Sequence, residues 1–126
     1  MQLTVYININ PQWEYFAADY PATGEPGIVY RRDVAAKFGP NAVSESLLCY
    51  DRDGKLVGIL NYFPNNVPFL ERAGNFNVIV HPKSRRRGIG TSLLHEAVKR
   101  WPINFEQQRY SHSGARLIHN FLKLAP

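Results

Sequence analysis

The feature that most constrains this chain runs from Phe76 to Trp101, FNVIVHPKSRRRGIGTSLLHEAVKRW, where a short apolar run meets a basic, glycine-containing turn and an amphipathic segment. The run Phe76 to Val80 is β-branched and stops at Pro82, which predicts a buried strand. From Gly90 onward Leu93, Leu94, Ala97, Val98 and Trp101 recur at helical spacing, with Ser92, Glu96, Lys99 and Arg100 between them, which predicts a helix. The turn from Pro82 to Gly90 therefore feeds a strand into a helix.

The first amides of such a helix have no internal partner, and the helix dipole adds positive charge there, so the junction favours an anion. Gly88 and Gly90 remove the Cβ atoms that would keep a phosphate from those amides, and Lys83, Arg85, Arg86 and Arg87 add formal charge. A diphosphate fits. The P-loop is excluded because no lysine follows Gly90, and the dinucleotide fingerprint because Leu93 stands where it needs a third glycine.

The pattern Val78-x-Val80-x-Pro82-x-x-Arg85-x-x-Gly88-x-Gly90, followed by Leu93 and Leu94, closely resembles the acyl-CoA signature of the GNAT family of N-acetyltransferases. That signature has the core Gln/Arg-x-x-Gly-x-Gly/Ala on a strand, turn and helix. The resemblance implies an α/β (α+β) fold: a mixed, mostly antiparallel central sheet flanked by helices. It implies transfer of an acetyl group from acetyl-CoA to a primary amine by direct attack in a ternary complex. Pantetheine would lie along the strand amides of Val78, Ile79 and Val80. The pyrophosphate would take the amides of Arg86, Arg87, Gly88, Ile89, Gly90 and Thr91, with Arg85 and its neighbours supplying charge. The 3′-phosphate would use Lys83 or Arg86.

The 126 residues suit one domain, 1–126, and 44% hydrophobic with 20% charged residues is an ordinary globular balance. No apolar run approaches the roughly 20 residues of a membrane span. MQLTVYININ lacks the layout of a signal peptide, so a cytoplasmic protein is expected. Cys49, the single cysteine, sits between Leu48 and Tyr50 and reads as an inert buried thiol. No cysteine–histidine cluster or His-Glu-x-x-His points to a metal, so no metal cofactor is expected. The net charge of +5 is largely accounted for by a polyanionic ligand at the basic turn.

Leu3 to Ile9 alternates like a half-buried strand, and Asn10-Pro11 is a good helix start for a segment reaching about Tyr20. PATGEPG is a loop, and a second short helix is expected from about Tyr30 to Phe38, ended by Gly39-Pro40. The rings of Trp13, Tyr15, Phe16, Tyr20 and Tyr30 divide between core and pocket lining. Ser44 to Tyr50 and Lys55 to Phe63 form a hairpin about Asp51-Arg-Asp-Gly54, with Gly58 marking a bulge or a close backbone approach. The loop Asn65 to Gly74 carries Phe69, Leu70, Glu71 and Arg72.

Ile103 to Gln107 is a short strand candidate, followed by a helix from about Ser113 to Leu122. Family members place Asn-x-x-Ala-x-x-Leu-Tyr here, the asparagine holding pantetheine and the tyrosine protonating the departing thiolate. With Ala115 on the family alanine, His112 takes the asparagine place, Ile118 the leucine place and His119 the tyrosine place; a shift by one gives Ser111, Gly114, Leu117 and Ile118. Only the first register supplies a proton donor, His119, with Tyr110 and Ser111 in reserve. The base that deprotonates the amine is sought among Glu106, Glu71 and Glu45, the first two preferred. The family commonly adds a strand pair beyond this helix, so a shortened C-terminal end is expected, with either a smaller sheet or a homodimer completing it. The acceptor is open: a protein amine, a small molecule or an aminoacyl-tRNA. The alternative is a non-catalytic CoA- or nucleic-acid-binding module using the same basic turn.

Overall fold

The structure, a computed structural model, describes residues 2–6, 12–34, 42–67 and 71–124. In chain order its elements are β1 (Thr4–Val5), α1 (Trp13–Ala17), β2 (Gly27–Val34), β3 (Val43–Tyr50), β4 (Leu56–Tyr62) and β5 (Phe76–Val80). There follow a 3-10 turn (Pro82–Ser84), α2 (Ile89–Arg100), a second 3-10 turn (Phe105–Gln107), β6 (Arg109–Tyr110) and α3 (His112–Leu124). Strands β2, β3, β4 and β5 form an antiparallel sheet in that order, and β1 pairs in parallel with β6 beside it. The expected mixed, mostly antiparallel sheet with flanking helices is what forms.

The β3–β4 hairpin closes because the Asp51 carboxylate accepts from the amides of Asp53 and Lys55, both at 2.9 Å. Every residue of β4 is buried, since both faces of the sheet are covered. One face packs Leu47, Leu60, Tyr62 and Phe76 against Leu93, Leu94 and Ala97 of α2 and Ile118 and Phe121 of α3. The other packs Leu48, Tyr50, Ile59 and Ile79 beneath Trp13, Phe16 and Ala17 of α1 and Tyr20. Complete burial of Leu93 and Leu94 contributes about 1.5–3 kcal/mol each and seats α2 on the sheet. Val98, predicted on the same helical stripe, is 41% exposed, while Trp101 stacks on Tyr62 with ring centroids 4.7 Å apart.

Three predicted elements come out differently. Tyr30 to Val34 belongs to β2 rather than to a helix: its backbone pairs with β3 along its whole length, Gly27 opposite Tyr50 through Val34 opposite Val43. Residues 35–40 of the expected helix lie outside the described residues. In the region from Ile103 to Gln107 a 3-10 turn replaces the strand, because the Asn104 side chain accepts from the Glu106 amide at 3.1 Å and caps it; the strand forms later, at Arg109–Tyr110. Helix α1 begins only at Trp13, after Gln12, which makes no side-chain cap. Asn10, Pro11, Phe69, Leu70 and the later part of the first predicted strand lie outside the described residues.

Candidate active site

The site begins with the outer edge of β5. In an antiparallel ladder alternate residues turn their amide and carbonyl toward the partner strand and away from it. The His81 amide donates to Val57 O at 2.9 Å and the Phe63 amide to Asn75 O at 2.9 Å, so residues 75, 77, 79 and 81 face β4. The Phe76 amide instead bonds the Gln108 side chain, which places Val78 and Val80 outward as well. No described strand pairs with that edge, since β6 pairs with β1. Of the outward groups, Val80 O accepts from Arg85 Nε at 3.4 Å.

Gln108 sets how far β5 and β6 stand apart. It is buried, its Oε1 accepts from the Phe76 amide at 3.2 Å, and its Nε2 donates to Gly74 O and Asn104 O, both at 3.2 Å. The rings of Phe76, Phe105 and Tyr110 pack edge to face beside it, Phe76 to Phe105 at 5.8 Å and Phe76 to Tyr110 at 6.3 Å. The strands are thus tied through a side chain and a wedge of rings, not a ladder, and a gap opens beyond.

At the far end of β5 the chain enters the phosphate-type turn. Arg86 (φ 65°) and Gly88 (φ 78°) both adopt the left-handed conformation, which costs a non-glycine residue about 1–2 kcal/mol. The amides of Ile89, Gly90 and Thr91 have no partner within the helix, since the first bond into α2 is from the Ser92 amide to Gly88 O at 3.0 Å. A Cβ on Gly88 would meet nothing within 4 Å, so its backbone is open to a ligand. Gly90 also serves packing: it is buried, and a Cβ there would lie 2.8 Å from Leu117 Cδ2, so it allows α2 to pack on α3. Gly58 is the close approach foreseen in β4, for a Cβ there would stand 2.6 Å from Ile89 Cγ2 and 3.0 Å from Leu93 Cδ1. A bare backbone in β4 thus sets the height at which α2 begins.

Two cavities flank the gap. The larger, about 520 Å³, runs from Val78 and Val80 past Arg85, Arg86 and Gly88 to Thr91, with Ser113, Arg116 and Asn120 of α3 opposite. The smaller, about 360 Å³, is walled by Phe16, Glu71, Asn77, Arg109 and Tyr110. They share Val78, Ile79, Ser111 and Gly114. Ser111 is positioned by capping α3, its Oγ accepting from the Gly114 amide at 3.0 Å.

The predicted cofactor-binding residues Val78, Ile79, Val80, Arg85, Arg86, Gly88, Ile89, Gly90, Thr91 and Ser111 all line the larger cavity; Arg87 is exposed and does not. Of the predicted catalytic residues, Glu71 borders the smaller cavity, and its carboxylate accepts from Asn75 Nδ2 at 2.8 Å. The others are placed differently. His119 is exposed on the side of α3 opposite Leu117 and, like His112 two turns earlier on the same face, lines neither cavity. Tyr110 does border the smaller cavity, but its hydroxyl donates to Phe105 O at 2.7 Å and burial pushes the phenol far above its ordinary value. Glu106 is exposed on its 3-10 turn and Glu45 accepts from the Tyr30 hydroxyl, neither of them at a cavity. Burial, then Asp51, raises the Cys49 thiol, which keeps it protonated as expected.

Sequence reasoning missed Gln108, Asn77 and the α3 set Ser113, Arg116 and Asn120. Asn77 carried a signal, a carboxamide inside an apolar strand, whereas the face of α3 that meets the gap is set by packing.

His81 joins β5 to the turn. Its Nδ1 accepts from the Lys83 amide at 3.1 Å and its ring meets Trp13 edge-on at 5.3 Å. Burial first, then Lys55 and Lys83, hold the imidazole below its ordinary 6.5. Below that pH the unfolded chain takes up a proton that the folded chain resists, so stability present above 6.5 is lost as pH falls toward the folded value. The variant His81→Asn keeps an acceptor without the titration. We expect its melting temperature to fall less than that of the native chain between pH 7 and about pH 5.5, and equal falls would show that His81 is not the titrating latch.

Among the described residues no helix is long and apolar enough to cross a membrane, and no three His, Cys, Asp or Glu side chains are grouped to hold a metal. No curated protein and no solved structure matches the chain. The family model described as the acetyltransferase (GNAT) family matches residues 10–109, most of the 126-residue length and all of β5, the turn and α2. With that span matched, and with an unpaired strand edge leading into a bare glycine turn as the signature demands, this chain belongs to the GNAT acetyltransferase family.

Proposed function

We propose that the protein transfers the acetyl group of acetyl-CoA to a primary amine by direct attack in a ternary complex. The observation that carries this reading is the set of backbone donors along one cavity, from the outward amides of Val78 and Val80 on β5 to the first-turn amides of α2, Ile89 to Thr91. The residues present fit the donor molecule. Gly88 offers an open backbone, the αL turn at Arg86 and Gly88 aims successive amides outward, and Arg85, Arg86 and Arg116 supply charge for a diphosphate.

Acetyl-CoA supplies the activated thioester carbonyl. The protein's part is to hold it and to present an uncharged amine. An outward amide at Val78 or Val80 is placed to donate to the carbonyl oxygen as charge develops on it. Glu71, across the smaller cavity, attracts an ammonium group and accepts its proton directly or through one water. With His119 and Tyr110 away from the gap or engaged, the thiolate is protonated from Ser111 or Ser113 or from solvent. Much of the rate then comes from positioning. A cytoplasmic site of action belongs to this reading. So does a homodimer, because among the described residues no strand pairs with the outer edge of β2.

The test is thermal stabilisation and turnover together. Saturating acetyl-CoA should raise the melting temperature, by about 2.7 kcal/mol of added stability at a hundredfold excess over Kd. Thiol release should then follow on adding an amine panel of peptides, small amines and charged tRNA. Stabilisation by a short nucleic-acid duplex in place of acetyl-CoA would defeat the proposal.

A further inference from the structure

The smaller cavity holds a polar group to which nothing above gives a task. On the α1 face of the sheet Ser46, Asn61 and Asn77 lie side by side across β3, β4 and β5. Ser46 and Asn61 are each 1% exposed. The Tyr20 hydroxyl donates to Asn61 Oδ1 at 2.6 Å and the Ser46 hydroxyl to the same oxygen at 2.7 Å. With its oxygen taken twice, Asn61 passes the relay on through Nδ2, which donates to Asn77 Oδ1 at 2.9 Å. Asn77 is therefore held by its oxygen, and its amide hydrogens remain without a partner among the described residues, on a residue that lines the cavity.

Stability does not explain this row. Carboxamides buried in a sheet cost free energy unless fully bonded. Two residues along, Leu48, Ile59 and Ile79 occupy the same face of the same strands with hydrocarbon alone. The relay instead fixes which end of Asn77 meets a ligand. Asn77 immediately precedes Val78, one of the outward-facing positions proposed to flank the thioester. Asn77 and Val78 line the same cavity, so a group held by Asn77 shares it with the amine that attacks at the outward edge of Val78.

We infer that Asn77 is a specificity-determining residue whose side-chain amide donates to a carbonyl oxygen next to the acceptor amine, making the acceptor an α-amino carbonyl compound such as an amino-acid amide or a peptide N-terminus. A lysine side chain, with its nearest carbonyl several methylenes away, does not present oxygen there. The inference rests on the acetyltransferase reading.

The experiment compares three amines with the full chain and acetyl-CoA: alaninamide, sec-butylamine, which has its size but no carbonyl, and Nα-acetyl-lysine amide. With kcat/KM calculated on the uncharged amine, because the α-amine ionises about two pH units below the alkylamines, we expect alaninamide to be favoured over each of the others by about tenfold or more, the discrimination one lost hydrogen bond in a polar pocket produces. Asn77→Ala should raise KM for alaninamide about tenfold and leave sec-butylamine within about twofold, with thermal stabilisation by acetyl-CoA retained. Asn77→Asp keeps the oxygen that Asn61 bonds while removing the donor, so it should lose the same preference even if the alanine variant folds poorly. Absence of any preference for alaninamide in the native chain, including absence of transfer to it, overturns the inference, as does an equal loss on alaninamide and sec-butylamine in Asn77→Asp. Failure of acetyl-CoA to stabilise the native chain would instead sink the acetyltransferase reading itself.

Discussion

Replacing Gly88 with aspartate is expected to abolish stabilisation by acetyl-CoA while leaving a folded protein. A Cβ at this position meets no atom within 4 Å, so the side chain enters the space proposed for the diphosphate without disturbing the packing. Gly88 has φ of 78°, and an aspartate there costs about 1 kcal/mol of strain, moderated because short polar side chains tolerate that region. A fall in melting temperature of a few degrees follows for a domain of this size. The loss in ligand affinity is far larger. The carboxylate sits beside the amides of Ile89, Gly90 and Thr91 and competes for them as an N-terminal anion, while repelling phosphate. Charge-assisted hydrogen bonds contribute about 1.5–3 kcal/mol each, so losing one or two and adding repulsion weakens binding about a hundredfold or more. Gly88→Asn separates the two effects, for it carries similar bulk and strain without charge and should retain partial affinity. Isothermal titration with CoA on both variants reads the difference. Native affinity in folded Gly88→Asp would remove the turn from the binding site.

Replacing Gly58 is expected to damage stability and ligand binding together, from a residue that lines neither cavity. Even alanine puts a carbon 2.6 Å from Ile89 Cγ2, 3.0 Å from Leu93 Cδ1 and 3.4 Å from Cys49 Cβ. Overpacking of a filled core costs about 1–3 kcal/mol, and valine lies at or beyond the upper end. The first turn of α2 must lift from the sheet to relieve it, and that turn carries the free amides of Ile89 to Thr91. We therefore expect Gly58→Ala to lower the melting temperature by roughly 5–15 °C and CoA affinity by about tenfold. The variant Ile89→Ala removes the closest carbon. Combined with Gly58→Ala it should be less destabilising than the sum of the two, the coupling that contact between the sites demands. Additive losses would mean that Gly58 does not set the height of α2.

How much of this was legible in the residues depends on the range of the forces involved. The strand-turn-helix of 76–101 was readable because each of its parts is decided within a few residues: β-branched side chains, proline, the left-handed glycine at 88 and the helical stripe of Leu93, Leu94 and Ala97. The hairpin about Asp51 and Gly54 was readable for the same reason, its carboxylate closing its own loop. Those local constraints also carried the family resemblance, so the part of the larger cavity made by β5, the turn and the start of α2 was named in advance, and the part made by α3 was not. The smaller cavity was legible only in part, through Glu71, Tyr110 and Phe16. Its walls come from Phe16, Glu71, Asn77, Arg109 and Tyr110, residues distant in sequence that only the packed sheet assembles.

By itself, then, the sequence determined the phosphate-type turn and the strand and helix it joins, because local backbone preference and periodicity suffice there. Tertiary structure decided the rest. It made 30–34 an edge strand by pairing it with β3, held β6 off β5 through Gln108, turned His119 away from the gap, and gave Gly90 a part in helix packing as well as a place on the cavity wall. In each of these cases the deciding partner lies far along the chain, and burial and hydrogen bonding across that distance outweigh the weaker preference of the segment alone.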